Sequence, residues 1–150
     1  MFEFHMFPLL SDGEIDLRLL KLGPPDLEKK YSPSYHYEIY LHQTSTLIGS
    51  IRLRIGSDES LYFPGHIGYH IFEEYRGHHY AYKACLCIKS VAQSHELETL
   101  WITCNPDNIA SKKTIERLLA TLVEIAPIPV THEMYLKGET HKCIYEWKIK

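Results

Sequence analysis

Residues 75–81, Tyr75-Arg76-Gly77-His78-His79-Tyr80-Ala81, join two segments of different periodicity. The preceding segment, residues 65–72, contains the β-branched and aromatic residues that favour a strand. The following segment, residues 80–93, carries apolar residues at the spacing of one helix face: Ala81, Ala84, Cys85, Ile88, Val91 and Ala92. The junction therefore predicts a strand that passes directly into an amphipathic helix.

This junction is also a natural binding site for a phosphate group. The N-terminus of a helix presents amide hydrogens without intrahelical partners and about half a positive charge. Gly77 and the small Ala81 let the backbone approach a ligand closely. We therefore expect a pyrophosphate to bind here without the help of many basic side chains.

Upstream of the junction, the sequence predicts antiparallel strands. Apolar and polar residues alternate over residues 13–22, and two further β-rich runs cover residues 35–41 and 47–55. Between the first two runs, residues 26–30 are predicted to form one or two helical turns. The first half of the chain is thus expected to be a meander with a short helical insertion.

Downstream of the junction, strands and one more helix are predicted. The strands cover residues 97–104, 122–125 and 142–149. Residues 105–108 supply a cap, with Pro106 as the first helical residue, for a helix that ends near Leu119. This order of elements predicts an α/β sandwich on a mixed sheet, with a strand-helix-strand unit at its centre.

Size and composition narrow the function classes. The chain has 150 residues and a formal net charge of -3, which suit a single domain over residues 1–150. Its scattered basic residues argue against nucleic-acid binding, which needs a one-sided positive surface. No apolar run approaches the length that spans a membrane, and residues 1–10 lack the pattern of a signal peptide. The sequence therefore predicts a cytoplasmic protein.

The four cysteines and ten histidines do not form a recognisable metal site. Cys85 and Cys87 are two residues apart on a predicted helix, so their side chains point in different directions. His78 and His79 are adjacent, so their side chains also point in different directions. We expect reduced thiols, as is usual in the cytoplasm, and no bound metal.

The junction resembles the acetyl-CoA loop of the GNAT acetyltransferases through Arg76, Gly77, Tyr80 and Ala81. A second segment, Asn105-Pro106-Asp107-Asn108-Ile109-Ala110-Ser111, resembles another motif of that family and follows in the right order. The resemblance covers about residues 65–120. It implies a twisted, mostly antiparallel sheet of six or seven strands with helices on both faces, and acetyl-CoA as co-substrate.

The resemblance also implies roles for particular residues. Asn108 would contact the pantetheine arm, and the backbone of Ile71 and Phe72 would pair with that arm like an added strand. Other cofactor contacts would come from Arg76, Gly77, His78, His79, Tyr80, Ala81 and Ser111. His79 replaces a glycine of the family motif, and Ile115 replaces a tyrosine that acts as general acid in many members. Ser111 is the hydroxyl that we expect to assist departure of the CoA thiolate.

The expected reaction is direct attack of a primary amine on the thioester in a ternary complex. Backbone N–H groups of residues 68–72 would polarise the carbonyl. Candidates for the general base are His70 and Tyr69 on the predicted strand and Glu73 or Glu74 beyond it. The acceptor, a small molecule or a protein N-terminus, stays open, as does a homodimer. The alternative is a non-catalytic module that binds CoA or a protein partner.

Overall fold

A computed structural model describes residues 2–150 of the chain. Its strands are β1 (Leu9–Ser11), β2 (Ile15–Gly23), β3 (Ser34–Leu41), β4 (Leu47–Arg54), β5 (Ile67–Ile71), β6 (Thr99–Cys104), β7 (Thr121–Pro127) and β8 (His141–Lys148). Its α-helices are α1 (Tyr80–Ser94), α2 (Ile109–Arg117) and α3 (Glu133–Leu136), and a 3₁₀ turn covers Glu73–Tyr75. The expected α/β architecture is confirmed.

The eight strands form two antiparallel sheets rather than one sheet of six or seven strands. The first has the order β1-β2-β3-β4-β5, and the second has the order β6-β8-β7. The sheets meet where the His66 N–H donates to the Trp101 carbonyl at 2.8 Å and the Trp101 N–H donates to His66 Nδ1 at 2.9 Å. Beyond this contact β5 and β6 diverge and line a cleft.

The predicted amphipathic helix α1 covers the first sheet. Its buried residues are Ala84, Cys85, Ile88, Val91 and Ala92, all of which belong to the predicted apolar face. They share one hydrophobic core with alternate residues of β3 and β4, such as Tyr35, Tyr37, Ile51 and Leu53. Helix α2 contacts α1 and β6. Among residues 2–150, none of the helices has both the length and the hydropathy required to cross a membrane.

The helix predicted over residues 26–30 is wrong. This segment is a turn that is closed by two hydrogen bonds between the backbones of Asp26 and Tyr31, at 2.9 and 3.1 Å. A helix of five residues forms too few hydrogen bonds to compensate the unfavourable free energy of helix nucleation. Prolines also lie on both sides of this segment. The linker between β2 and β3 therefore places no helix on the sheet.

Three local details also differ from the prediction. Helix α2 begins at Ile109 with Asn108 as its N-cap, so Pro106 lies before the helix and not in its first turn. Strand β1 and helix α3 were not predicted, because three and four residues are too few for a periodic pattern to show.

Candidate active site

The cleft between β5 and β6 has a volume of about 1000 Å³. The first turns of α1 and α2 lie along one part of it, and β4 and α3 lie along another. The predicted site residues that line it are Tyr69, His70, Ile71, Arg76, Gly77, His79, Tyr80, Ala81, Asn108 and Ser111. Phe72 and His78 are predicted site residues that do not line it. Two distant motifs of the sequence thus meet in one cavity.

The N-terminus of α1 opens into the cleft. The first hydrogen bond of the helix runs from the Lys83 N–H to the His79 carbonyl at 3.0 Å, so the earlier amide hydrogens lack an intrahelical partner. His79 makes no side-chain capping bond, and the first turn contains no acidic residue. Backbone amides and the helix dipole are therefore available for an anion.

The loop before α1 depends on two residues with a positive φ. Gly77 has a φ of 89°, which glycine adopts without strain. His79 has φ 62° and ψ 24°, the left-handed conformation, at the position where the resembling motif has glycine. The left-handed conformation raises the free energy of a non-glycine residue by about 1–2 kcal/mol. His79 is therefore held by the surrounding loop in a strained conformation. The His78 ring lies 5.3 Å from the Tyr80 ring, outside the cleft lining.

The exposed edge of β5 offers backbone groups, but Phe72 does not contribute to them. The Phe72 N–H donates to the Ile48 carbonyl and the Phe72 carbonyl accepts from the Tyr75 N–H, each at 2.9 Å. The Phe72 N–H is thus already used within the sheet, which disfavours the expected pairing of Phe72 with a pantetheine, and that pairing stays a prediction. In an antiparallel ladder alternate residues face the free edge, which assigns Tyr69 and Ile71 to it. The Ile71 carbonyl accepts from Arg76 Nε at 2.9 Å, which fixes the loop to the strand end.

Two predicted catalytic residues contact each other. The Tyr69 hydroxyl lies 2.7 Å from Ser111 Oγ, although the residues are 42 positions apart in the sequence. Asn108 Oδ1 accepts from the Ser111 N–H at 3.1 Å, so Asn108 caps α2 and places Ser111 in the first turn. Burial raises the pKa of Tyr69 well above its usual value. Tyr69 therefore stays protonated near pH 7, which suits a proton donor and disfavours its predicted role as a base; that role stays a prediction.

The other predicted bases lie elsewhere. His70 is exposed and lines the cleft, and it projects from the face of β5 opposite to Tyr69. Glu73 and Glu74 are exposed on the 3₁₀ turn and do not line the cleft. Ile115 is completely buried in the core, so its position in α2 supplies no proton donor. Among the predicted bases, the geometry favours His70.

Two arginines of the cleft were missed by the sequence analysis. Arg52 and Arg54 occupy alternate positions of β4, and Arg52 pairs with Gly68 in the strand register. Arg54 Nη1 donates to the Gly65 carbonyl at 3.0 Å. Burial lowers the pKa of Arg52, and burial together with Arg52 lowers the pKa of Arg54 to about 10. The sequence did offer one signal for them: two basic residues at alternate positions of a predicted strand lie on one face of it, and this strand directly precedes β5.

Comparison with known proteins gives a family and a fold. A model of the family described as acetyltransferase (GNAT) domain matches residues 11–120. No curated protein matches the sequence significantly.

Among solved structures, one is described as a ribosomal-protein-serine acetyltransferase from Vibrio cholerae. It has a TM-score of 0.68 and 18% identity, and the match covers 95% of this chain and 99% of that chain. The ribosomal-protein-S5-alanine acetyltransferase from Vibrio fischeri has a TM-score of 0.67 and 14% identity, over 93% of this chain and 98% of its own.

The microcin C7 self-immunity acetyltransferase MccE, solved with acetyl-CoA and AMP, has a TM-score of 0.58 and 20% identity. That match covers 77% of this chain and 61% of that chain. At these identities, the three structures show that the fold is shared.

Proposed function

Since the chain belongs to the GNAT acetyltransferase family, we propose that it transfers the acetyl group of acetyl-CoA to a primary amine by direct attack in a ternary complex. The observation that carries this proposal is the uncapped N-terminus of α1, which opens into the same cleft as the free edge of β5. One element is suited to a diphosphate and the other to the amide groups of a pantetheine. The acetyl-CoA held by the related fold of MccE supports this choice of co-substrate.

The proposed cofactor path starts at the loop and ends at the contact between Tyr69 and Ser111. The amide hydrogens at the start of α1 bind the pyrophosphate, close to Gly77 and Ala81. The pantetheine follows the edge of β5 as an added strand and uses the backbone of Ile71 and Tyr69. Arg76 Nε already donates to the Ile71 carbonyl, so a pantetheine amide would share this oxygen with Arg76 or displace it.

The proposed reaction forms a C–N bond and breaks the C–S bond of the thioester. The amine nitrogen attacks the carbonyl carbon, and edge N–H groups of β5 stabilise the oxyanion that develops. His70 receives the proton that the nitrogen loses, directly or through a water molecule. Ser111 donates a proton to the departing CoA thiolate and recovers one from the Tyr69 hydroxyl at 2.7 Å. Solvent then takes the proton from His70 and returns one to Tyr69, which restores both residues.

The acceptor and the cellular setting remain part of the proposal. Related folds act on ribosomal proteins or, in MccE, serve self-immunity, so the acceptor is either a protein N-terminus or a small molecule. Acetyl-CoA is an intracellular metabolite, which supports a reaction in the cytoplasm. Strand β7 exposes Leu122, Val123 and Ile125 at the sheet edge, and self-association through it would give a homodimer that sedimentation velocity would detect.

A non-catalytic module is the second candidate function. The strained His79 and the buried Ile115 favour it, because both depart from the motif of the active family members that the sequence resembles. Calorimetric titration with acetyl-CoA, followed by a free-thiol assay with polyamines, amino sugars, amino acids and peptides, separates the two candidates. Release of CoA that depends on an added amine supports the enzyme. Binding of acetyl-CoA without release by any amine supports the module.

A further inference from the structure

Arg52 and Arg54 lie side by side in the part of the cleft that the cofactor path does not use. They are two residues apart on β4, which places their Cα atoms about 7 Å apart on one face of the sheet. The same face carries Gly68 and His70 of β5, whereas Tyr69 projects from the other face. The arginines and the proposed base therefore share the side from which the amine must approach.

Neither arginine has a carboxylate partner. Within residues 2–150, no ion pair includes Arg52 or Arg54. Arg52 Nε is a buried donor with no hydrogen-bond partner. Arg54 uses Nη1 for the carbonyls of Gly65 and Pro64, which leaves its positive charge unbalanced. A partly buried charge without a partner is unfavourable, so an anion would stabilise these two half-buried side chains by binding to them.

Two lysines of the cleft, Lys142 and Lys137, are already paired. Lys142 Nζ donates to Glu139 at 2.7 Å and to Asn105 at 2.8 Å, and Lys137 pairs with Glu133 at 2.9 Å. The neighbouring His36 adds no positive charge near pH 7, because burial and then the charge of Arg52 lower its pKa. Arg76, Lys113 and Arg117 also line the cleft outside any ion pair of residues 2–150, but they belong to the loop before α1 and to α2. On the β4 face, the unbalanced charge is therefore that of Arg52 and Arg54.

The arginines lie away from the proposed pyrophosphate site. Arg52 pairs with Gly68, and the Arg54 N–H donates to the His66 carbonyl at 2.7 Å. Gly68 is three residues before the end of β5, about 10 Å along the strand, and the pyrophosphate loop begins beyond that end. A phosphate bound at the start of α1 therefore leaves Arg52 and Arg54 unoccupied.

We propose that Arg52 and Arg54 bind an anionic group, carboxylate or phosphate, on the acceptor amine. Guanidinium groups bind both anions through paired N–H donors, which fixes orientation as well as charge. The substrate would then be a compact amine whose anion sits on the arginines while its nitrogen faces the thioester. Polyamines, whose charges are all positive, would be repelled. This inference rests on the proposed acetyl transfer.

The test compares acceptors that differ only in the anion. With saturating acetyl-CoA, CoA release is measured for β-alanine against β-alaninamide, and for 2-aminoethyl phosphate against ethanolamine. The two pairs separate a carboxylate site from a phosphate site. We expect kcat/KM at least tenfold higher for the anionic member of one pair. Equal values within both pairs would overturn the inference.

Two variants and a control assign the preference to the arginines. Arg52→Met keeps an apolar stem and removes the guanidinium, and it should reduce the preference at least tenfold through KM. Arg52→Lys keeps the charge and should restore part of the preference, which also covers the case in which the methionine variant fails to fold. Arg18→Met is the control, because Arg18 packs on Tyr40 outside the cleft lining and should leave the ratio unchanged.

Calorimetry with acetyl-CoA distinguishes failure of this inference from failure of the proposed function. Wild-type protein that binds no acetyl-CoA would contradict the function itself. Wild-type protein that binds and turns over acetyl-CoA without a preference for anionic acceptors would contradict the anion site alone. A loss of acetyl-CoA affinity in Arg52→Met would assign the arginines to the cofactor and would also overturn the inference.

Discussion

The hydroxyl groups of Tyr69 and Ser111 form a 2.7 Å hydrogen bond that joins β5 to the first turn of α2. Asn108 caps the same turn, so the position of Ser111 is fixed by a backbone bond as well as by Tyr69. Burial raises the pKa of Tyr69, which keeps its proton in place near pH 7. The pair therefore provides a proton donor at the end of the proposed cofactor path. Ile115, which replaces the tyrosine of many family members, has no proton to donate.

The first prediction concerns these hydroxyls. Ser111→Ala should lower kcat about tenfold to a hundredfold while the Kd for acetyl-CoA stays within about twofold, because it removes a donor that acts on the departing thiolate. Tyr69→Phe should lower kcat in the same direction, and the double variant should fall short of the sum of the two effects. Steady-state kinetics and calorimetry check this. Ser90→Ala, an exposed hydroxyl on α1, is the matched control. Additive effects of the two substitutions would contradict the coupling.

The second prediction concerns the strained loop. His79→Gly should raise the free energy of unfolding by up to about 1 kcal/mol, since glycine relieves the left-handed conformation at φ 62° but also gains entropy in the unfolded chain. Gly77→Ala is the reverse case, because a Cβ at Gly77 meets no atom within 4 Å and only its φ of 89° is unfavourable. That variant should be destabilised by about 1 kcal/mol. Urea denaturation measures both, and a less stable His79→Gly variant would refute the strain.

The third prediction concerns acid stability and the buried carboxylate of Asp16. Asp16 accepts from Ser11 Oγ and His42 Nδ1, each at 2.6 Å, and from the Gln43 N–H at 2.9 Å. Burial alone raises the pKa of Asp16, but these hydrogen bonds outweigh it and hold the pKa far below the ordinary value of 3.8. A lowered folded-state pKa gives stability that is present above about pH 4 and is lost as the pH falls further.

Asp16→Asn tests this linkage. It should reduce the free energy of unfolding by about 2 kcal/mol at pH 7, because an amide cannot accept all three hydrogen bonds as well as a carboxylate does. The difference from wild type should shrink as the pH falls below 4. Urea denaturation from pH 7 to pH 3 measures it, and a difference that stays constant over this range would contradict the assignment.

The fold was predictable where a local pattern extends over several turns or strand residues. The apolar face of α1 and the alternation of β3 and β4 were confirmed, because burial on one side imposes those periods on the sequence. The turn over residues 26–30 was mistaken for a helix because a short segment carries no period to read. The divergence of β5 from β6 also left no local pattern, since it depends on the pairing of His66 with Trp101 across the fold.

The candidate site was predictable only where a motif is continuous in the chain. Loop residues such as Gly77 and Ala81 were found for that reason. Arg52 and Arg54 belong to a strand outside both motifs, and only the register of β4 against β5 brings them to the cleft. Whether the backbone groups of Phe72 face the edge could not be predicted, because strand alternation decides this and the register was not known from sequence.

Binding of acetyl-CoA at the start of α1 is tested most directly by titration calorimetry on wild type, Ala81→Glu and Ala81→Gln. A glutamate in the first turn is compatible with the helix dipole, so this variant should fold, yet its carboxylate would lie against the pyrophosphate. The glutamine variant has the same size without the charge. We predict one acetyl-CoA per wild-type chain, weaker binding to Ala81→Gln, and at least a hundredfold loss of affinity in Ala81→Glu. Wild-type affinity in Ala81→Glu would contradict the account.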